Sequence, residues 1–214
     1  NTPDLRKRIN CHDAHYFDRH LSEMAQETRY GFYGPTDVAV IEAAAISEDG
    51  EVLLGCGLGN IPTYAPRAKH IFIELNEALP QALYGMHDIY LPADPPYRRE
   101  IPIYSPSDRI GRPTLKIDPS KVRGIIRTNF LDGVKPFSKP DETSERIGGY
   151  VVEFLVNEYR HGRIPKEFLP LQSGVGNVAN AVLNYLCIDK ELPNFMMYTE
   201  VVQDSVLELL RNGK

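Results

Sequence analysis

The sequence predicts an α/β fold of open mixed or parallel sheets flanked by helices, and three features carry this prediction. Short apolar runs rich in β-branched residues alternate with stretches whose apolar residues recur with a helical period of about 3.6 residues. Glycine loops separate many of these runs, as is common where strands give way to helices. The 214 residues, 42% of them hydrophobic, are enough to bury a sizeable core.

The first half of the chain is predicted to hold one helix and four strands. Apolar spacing predicts the helix over 16–29, which nearby glycines end. Continuous apolar runs predict strands over 37–46, 51–54 and 70–75, the first of them covered on both faces. A similar run predicts a fourth strand over 122–127.

Prolines organise the middle of the chain. Six of them between residues 91 and 113 exclude regular structure there. Two more mark residues 133–140 as a linker. We therefore expect one domain over residues 1–132 and another over residues 141–214.

The second domain is predicted to contain three helices and a short strand. The first helix covers 141–162 and begins with carboxylates, which suit the positive end of a helix. A glycine loop leads into a second helix over 178–186, followed by a strand over 195–198 and a third helix over 203–211. The apolar face of the first helix is predicted to consist of Ile147, Val151, Phe154, Leu155 and Tyr159.

Charge, hydropathy and cysteine content exclude several classes of protein. The net charge of -5 argues against a broad nucleic-acid-binding face. No apolar run approaches the ~18 residues of a membrane span and no signal peptide is visible. We therefore expect a cytoplasmic protein without a membrane partner, or a mitochondrial one if its source is eukaryotic. Three scattered cysteines without CxxC spacing argue against a disulfide framework and for a reducing compartment.

The histidines do not form a metal-binding pattern. His12, His15 and His20 lie close in sequence, but no patterned third ligand accompanies them. We therefore predict no metal and no other cofactor. For His87 we expect a structural hydrogen bond.

The most informative local pattern is a glycine loop that runs into the second helix of the second domain. Backbone N–H groups at such a helix start converge on negative charge and can hold a phosphate or a developing oxyanion. The alternative is a plain junction that needs glycine only for its geometry. The loop fits neither the P-loop nor the dinucleotide-binding pattern. It consists of Gln172, Ser173, Gly174, Val175, Gly176 and Asn177.

A second glycine loop follows the strand predicted over 51–54. Its residues Gly57, Gly59 and Asn60 are candidates for lining a ligand site. Close packing of the backbone at a sheet edge is the alternative.

Glu200 is the carboxylate that the sequence singles out, because it follows an apolar strand and has few charged neighbours. Partly desolvated there, it can act as a base or a covalent nucleophile. Alternatively, it is a helix-start glutamate that the helix dipole stabilises. For Glu42 and Glu74, which lie inside apolar strands, we expect buried and paired structural carboxylates.

Seven segments, in one order along the chain, resemble the acetyl-CoA hydrolase/transferase family, a branch of the class I CoA-transferases that includes succinyl-CoA:acetate CoA-transferases. The resemblance runs from about residue 16 to the last residue. The segments are Tyr30-Gly-Phe-Tyr-Gly34, Asp37-Val-Ala-Val-Ile-Glu-Ala43, Glu48-Asp-Gly50, Gly85-Met-His-Asp-Ile89, Gly162-Arg-Ile-Pro165, Pro170-Leu-Gln-Ser-Gly-Val-Gly-Asn177 and Tyr198-Thr-Glu-Val-Val-Gln-Asp204.

The resemblance implies a covalent mechanism with Glu200 as the nucleophile. In the family, a glutamate attacks an acyl-CoA thioester to form an acyl-glutamyl anhydride, and CoA then re-attacks to give a glutamyl-CoA thioester. The resemblance also implies that the glycine loop lies against Glu200 and offers backbone amides, at Val175 and Gly176, to the oxyanion. CoA is then a substrate, the partners are acyl-CoA and small carboxylates, and a homo-oligomer is expected.

Members of this family are about twice as long as this chain and have two similar open α/β domains. We therefore expect residues 1–132 to be the C-terminal part of the first CoA-transferase domain and residues 141–214 the N-terminal part of the second. The remainder of the longer chain would then be a partner of this segment, and the isolated segment is expected to be inactive or to act with that remainder. Two other functions stay open, an acetyl-CoA hydrolase that uses the same glutamate and a non-catalytic CoA-binding relic.

Overall fold

The computed structural model describes residues 3–16, 18–131, 133, 139–168 and 170–214. The chain divides into two compact units. Unit 1 consists of Asn1–Pro102 and Arg109–Leu131, and unit 2 of Ile103–Asp108 and Asp132–Lys214. Most of the predicted linker, residues 134–138, lies outside the described residues, and so does Phe17 in the helix predicted over 16–29.

Unit 1 is built on a mixed five-stranded sheet, which confirms the predicted α/β class. The strand order is β4-β2-β1-β3-β5. Strands β1, β3 and β5 run parallel, while β2 and β4 are each antiparallel to their neighbours. The strands are β1 (Val38–Ile46), β2 (Glu51–Leu54), β3 (His70–Asn76), β4 (Leu115–Lys116) and β5 (Val122–Thr128), and the helices are α1 (Pro3–Asn10), α2 (Leu21–Arg29) and α3 (Ile61–Arg67).

The larger core cluster of unit 1 lies on one face of this sheet, and a smaller cluster that contains Ala44 and Leu53 is buried apart from it. Alternate residues of β1, such as Ile41, pack in the larger cluster with Ile71 and Ile73 of β3, because successive strand side chains point to opposite faces. On the other face, Val38 and Val40 are 51% and 70% exposed. The expectation that this strand is covered on both faces is therefore wrong for its first half. A continuous apolar run specifies a strand but does not report whether both faces are covered.

Two helices of unit 1 escaped the sequence analysis for identifiable reasons. Helix α1 buries none of its residues, and its two large apolar residues, Leu5 and Ile9, are too few to predict a helix by their spacing. Helix α3 contains Pro62 near its start and Pro66 inside it, and prolines predict breaks. Helix α2 begins at Leu21, so the first residues of the predicted helix lie outside it.

Unit 2 is helical. Its helices are α4 (Glu142–Arg160), α5 (Asn177–Ile188) and α6 (Asp204–Arg211). The strand predicted over 195–198 is reduced to one isolated parallel bridge between Leu171 and Met197. None of the helices in the described part of the chain is long and apolar enough to cross a membrane.

Helix α4 packs with a different face from the predicted one. Its buried residues are Ser144, Gly148, Val152 and Val156. Of the predicted face, Ile147, Val151 and Phe154 are 40%, 37% and 61% exposed, while Leu155 and Tyr159 are partly buried. A Cβ added at Gly148 would lie 2.8 Å from the carbonyl carbon of Ala181 on α5. Small residues therefore set the close approach of the two helices, and the larger apolar side chains lie beside the contact.

Candidate active site

The glycine loop and the segment before Glu200 are neighbours in unit 2, although 26 residues separate Ser173 from Thr199. The Leu171 N–H donates to the Met196 carbonyl at 2.9 Å, and the Tyr198 N–H donates to the Leu171 carbonyl at 3.0 Å. This bridge sets the start of the loop directly beside the chain that leads to Glu200.

Thr199 extends this contact by one residue. Its hydroxyl oxygen lies 3.0 Å from the Ser173 carbonyl oxygen and 3.2 Å from the Ser173 nitrogen. The hydroxyl can donate to the carbonyl and accept from the N–H of the same residue, so it continues the backbone pairing with a side chain.

Gln203 contacts the loop from the other side of Glu200. Its side chain is 2% exposed, and its Nε2 donates to the Gly174 carbonyl at 2.9 Å and to the Ser173 hydroxyl oxygen at 3.0 Å. Polar side chains on both sides of Glu200 thus hold the loop, Thr199 at Ser173 and Gln203 at Ser173 and Gly174.

The loop ends in an open helix N-terminus. Gly176 caps α5 without a side-chain hydrogen bond, and the Asn180 N–H makes the bond back to the Gly176 carbonyl at 3.1 Å. The backbone N–H groups before Asn180 therefore point off the helix end, where the helix dipole is positive. A Cβ at Gly174 or Gly176 would meet no atom within 4 Å, so the space around both residues is open.

Gly176 also fits the alternative interpretation of this loop, in which glycine is needed only for the geometry of the junction. Its φ of 142° and ψ of 167° lie in a region that only glycine adopts readily. The glycine is needed for the backbone path into the first turn of α5, and as the cap residue it has no side chain of its own to bind the amides there.

Glu200 is exposed and lies three residues before Gln203, the cap of α6. It is therefore not a helix-start glutamate; Asp204 occupies the first turn. The expected partial desolvation is also absent, since Glu200 is exposed. Among the described residues, no hydrogen bond or ion pair engages its carboxylate.

The second glycine loop belongs to unit 1. Gly59 and Asn60 line a cavity of about 560 Å³ in that unit, together with Arg98 and Arg99. A Cβ at Gly57 would meet nothing within 4 Å, whereas one at Gly55 would lie 3.3 Å from a Glu42 carboxylate oxygen. Close packing therefore explains Gly55 but not Gly57. That Gly57, Gly59 and Asn60 line a ligand site stays a prediction.

The remaining candidates have structural partners. Glu42 accepts a hydrogen bond from the Asn76 amide at 2.8 Å, and Glu74 accepts one from the Thr128 hydroxyl at 2.9 Å. The His87 ring Nε2 lies 3.1 Å from the Leu54 carbonyl. Within the described ranges, no three His, Cys, Asp or Glu side chains are close enough together to bind a metal ion.

Sequence analysis missed the roles of Thr199 and Gln203. Both stand in the segment Tyr198–Asp204 that carries the family resemblance, yet neither side chain was assigned a task. The available signal was two polar residues flanking Glu200 in an otherwise apolar stretch.

Comparison with known proteins gives one family. A model described as the acetyl-CoA hydrolase/transferase N-terminal domain matches residues 2–192. The chain is 47% identical over 210 residues to propanoyl-CoA:succinate CoA transferase of Escherichia coli K12, covering 98% of this chain and 43% of that protein. It is 42% identical over 211 residues to succinyl-CoA:acetate CoA-transferase of Clostridium kluyveri, covering 99% of this chain and 39% of that protein. It is 39% identical over 216 residues to acetyl-CoA hydrolase of Saccharomyces cerevisiae, covering 98% of this chain and 41% of that protein.

Solved structures share the fold at low sequence identity. The 4-hydroxybutyrate CoA-transferase of Porphyromonas gingivalis aligns with a TM-score of 0.58 and 22% identity, over 98% of this chain and 42% of that one. RipA of Yersinia pestis aligns with a TM-score of 0.58 and 18% identity, over 100% of this chain and 41% of that one. The chain thus spans about two-fifths of the length of the relatives it matches. It belongs to the acetyl-CoA hydrolase/transferase family.

Proposed function

We propose that the protein moves CoA between small carboxylic acids of the acetate and succinate type, with Glu200 as the covalent nucleophile. One observation supports this more than any other: Thr199 and Gln203, on either side of Glu200, both bind the glycine loop, Thr199 at Ser173 and Gln203 at Ser173 and Gly174. A nucleophile and a set of backbone N–H donors are thereby held within one small region.

The reaction proceeds by exchange between thioester and anhydride. A Glu200 carboxylate oxygen attacks the thioester carbonyl carbon, the C–S bond breaks, and CoA leaves as a thiolate. The thiolate attacks the glutamyl carbonyl carbon of the acyl-glutamyl anhydride and displaces the first carboxylate, which leaves a glutamyl-CoA thioester. An acceptor carboxylate then attacks the glutamyl carbonyl carbon and displaces the thiolate, which gives a second anhydride. The thiolate attacks the acceptor's carbonyl carbon in this anhydride, forms the new acyl-CoA and frees Glu200. No step requires a net proton, and the thioester energy is conserved.

The glycine loop stabilises the tetrahedral intermediates of these steps. The N–H groups of Val175 and Gly176, at the positive end of α5, face the oxyanion that develops on the carbonyl oxygen. A carboxylate is a weak nucleophile in water, so we expect Glu200 to become covered when acyl-CoA binds. Gly57, Gly59 and Asn60 line the CoA site in this proposal, CoA is a substrate, and no metal or other cofactor takes part.

The remainder of a longer chain completes the site in this proposal. Residues 1–132 and 141–214 then represent parts of two similar domains, and the assembled protein is an oligomer in the cytoplasm. Acetyl-CoA hydrolysis is a second candidate function, because acetyl-CoA hydrolases are among the similar proteins. In that case water replaces the acceptor acid and attacks the same glutamyl intermediate.

Mass spectrometry of the full-length protein mixed with acetyl-CoA, without an acceptor acid, tests the proposal. We expect a CoA adduct on the peptide that contains Glu200, absent from Glu200→Gln and retained in the control Glu208→Gln. Glu208 is an exposed glutamate in the same unit, paired with Arg211 at 2.5 Å.

The other outcomes separate the alternatives. Release of free CoA without an adduct would favour the hydrolase. An adduct that persists in Glu200→Gln would overturn the assignment of the nucleophile, and the absence of any reaction would overturn the use of acetyl-CoA.

A further inference from the structure

Gln203 has a buried amide whose orientation is determined by its partners. Its Nε2 lies 2.9 Å from the Gly174 carbonyl oxygen. That oxygen can only accept a hydrogen bond, so the NH₂ end of the amide must face it, and Oε1 must point the other way. The Ser173 hydroxyl, 3.0 Å from the same Nε2, accepts the second hydrogen.

The contact to Gly174 acts on the next residue through the geometry of the peptide bond. The Gly174 carbonyl and the Val175 N–H belong to one planar trans peptide, in which they point in opposite directions. Because buried Gln203 holds the carbonyl on its own side, the Val175 N–H points away from Gln203. Val175 is 66% exposed, so this side of the peptide is open.

Among the described residues, the other hydrogen bond to this carbonyl is longer and comes from the Ser173 hydroxyl at 3.4 Å. Gly174 has no side chain, and a Cβ there would meet no atom within 4 Å. Without the amide of Gln203, the Gly174–Val175 peptide could rotate and take the Val175 N–H with it.

Packing alone does not explain a glutamine at this position. The Gln203 Oε1 is buried and has no hydrogen-bond partner among the described residues. Burying an acceptor without a donor costs stability, and a methionine of similar shape would avoid that cost. The useful part of the side chain is therefore its NH₂ group.

We propose that Gln203 is a positioning residue that turns the Gly174–Val175 peptide so that the Val175 N–H faces the substrate carbonyl oxygen attacked by Glu200. The inference rests on the function proposed above for Glu200 and the glycine loop. Gln203 lies three residues after Glu200 and acts on the oxyanion donor, so one short segment carries the nucleophile and orients the group that stabilises its product.

The test compares Gln203→Met with Ser205→Ala in the full-length protein. Ser205→Ala removes another buried hydrogen bond between α6 and α5, from the Ser205 hydroxyl to the Asn180 side-chain oxygen at 3.0 Å, and leaves the loop untouched. We expect Gln203→Met to slow formation of the CoA adduct on Glu200 about 10- to 100-fold, close to the effect of losing one oxyanion donor. The dissociation constant for CoA should stay within about twofold, and Ser205→Ala should form the adduct at the wild-type rate.

A crystal structure of Gln203→Met gives a readout that does not depend on activity. The Gly174 carbonyl should be rotated or occupy two positions, and an unchanged carbonyl would overturn the inference. Equal slowing by Gln203→Met and Ser205→Ala would also overturn it, because the effect would then follow stability.

If Gln203→Met does not fold, Gln203→Asn, whose amide is one methylene too short to reach Gly174, takes its place. A wild-type protein that forms no adduct would count against the proposed function, and the crystal structure alone would then decide the role of Gln203.

Discussion

The residues around Glu200 show how a short polar segment can organise a site. Thr199 and Gln203 contact Ser173 and Gly174, while Glu200 between them is left exposed. The segment thus separates two tasks, since the flanking side chains make the contacts and the carboxylate has no partner within the described part of the chain. In the proposed reaction the carboxylate of Glu200 must be free to attack, and an ion pair would have to be broken first.

At Gly176 the backbone conformation permits a sharp prediction. Because its φ of 142° is strained for any residue with a Cβ, we expect Gly176→Ala to lower the free energy of unfolding by about 1 to 3 kcal/mol. Gly174→Ala is the matched control, since its Cβ would meet nothing within 4 Å and its φ lies outside the positive region. Urea unfolding of both variants measures the difference, and equal stability of the two would contradict the argument.

Among the elements, the contact between α4 and α5 depends on one of two adjacent glycines. A Cβ at Gly148 would lie 2.8 Å from both the carbonyl carbon and the Cβ of Ala181, whereas one at Gly149 would lie 3.5 Å from the Tyr185 ring. We expect Gly148→Ala to destabilise the protein by about 1 to 3 kcal/mol through overpacking. Gly149→Ala should instead stabilise it by about 0.5 to 1 kcal/mol, because alanine favours a helix. Thermal unfolding of the pair provides the measurement, and destabilisation by both would show that the helices do not approach as described.

The stability of unit 1 is expected to depend on pH through Glu51, which lies where β2 pairs with the edge strand β4. A hydrogen bond from the Thr114 hydroxyl at 2.6 Å, together with the charges of Arg112 and Lys116, lowers the pKa of Glu51 on β2 below its usual value of 4.5. A carboxyl whose folded pKa is lowered stabilises the fold above its unfolded pKa, and this contribution is lost as the pH falls through the folded pKa.

We therefore expect Glu51→Gln to cost on the order of 1 kcal/mol near neutral pH and almost nothing at a pH below the folded pKa. Urea unfolding at both pH values measures this difference. Glu48→Gln, in the exposed turn before β2, is the control and should have little effect at either pH. A cost that does not change with pH would mean that Glu51 acts through packing.

At the scale of the whole molecule, the family match and the structural division do not coincide. The family model spans residues 2–192, which includes all of unit 1 except Asn1 and more than half of unit 2. Residues 103–108 belong to unit 2 although they interrupt unit 1 in sequence. The proline-rich stretch excluded regular structure there, but a composition pattern cannot assign such a stretch to one unit or the other.

By itself the sequence determined the α/β class, the strands β1, β2, β3 and β5, and the helices α4, α5 and α6 to within a few residues. These features follow from local periodicity and from glycine and proline signals, which act over a single turn or strand. The family resemblance also selected the glycine loop and Glu200. Only the tertiary structure decided which face of α4 is buried, where β1 is uncovered, and that Thr199 and Gln203 bind the loop. Each of these depends on contacts between residues far apart in sequence. The packing of a small residue such as Gly148 and the burial of the Gln203 amide produce no periodic pattern in the sequence from which they could be predicted.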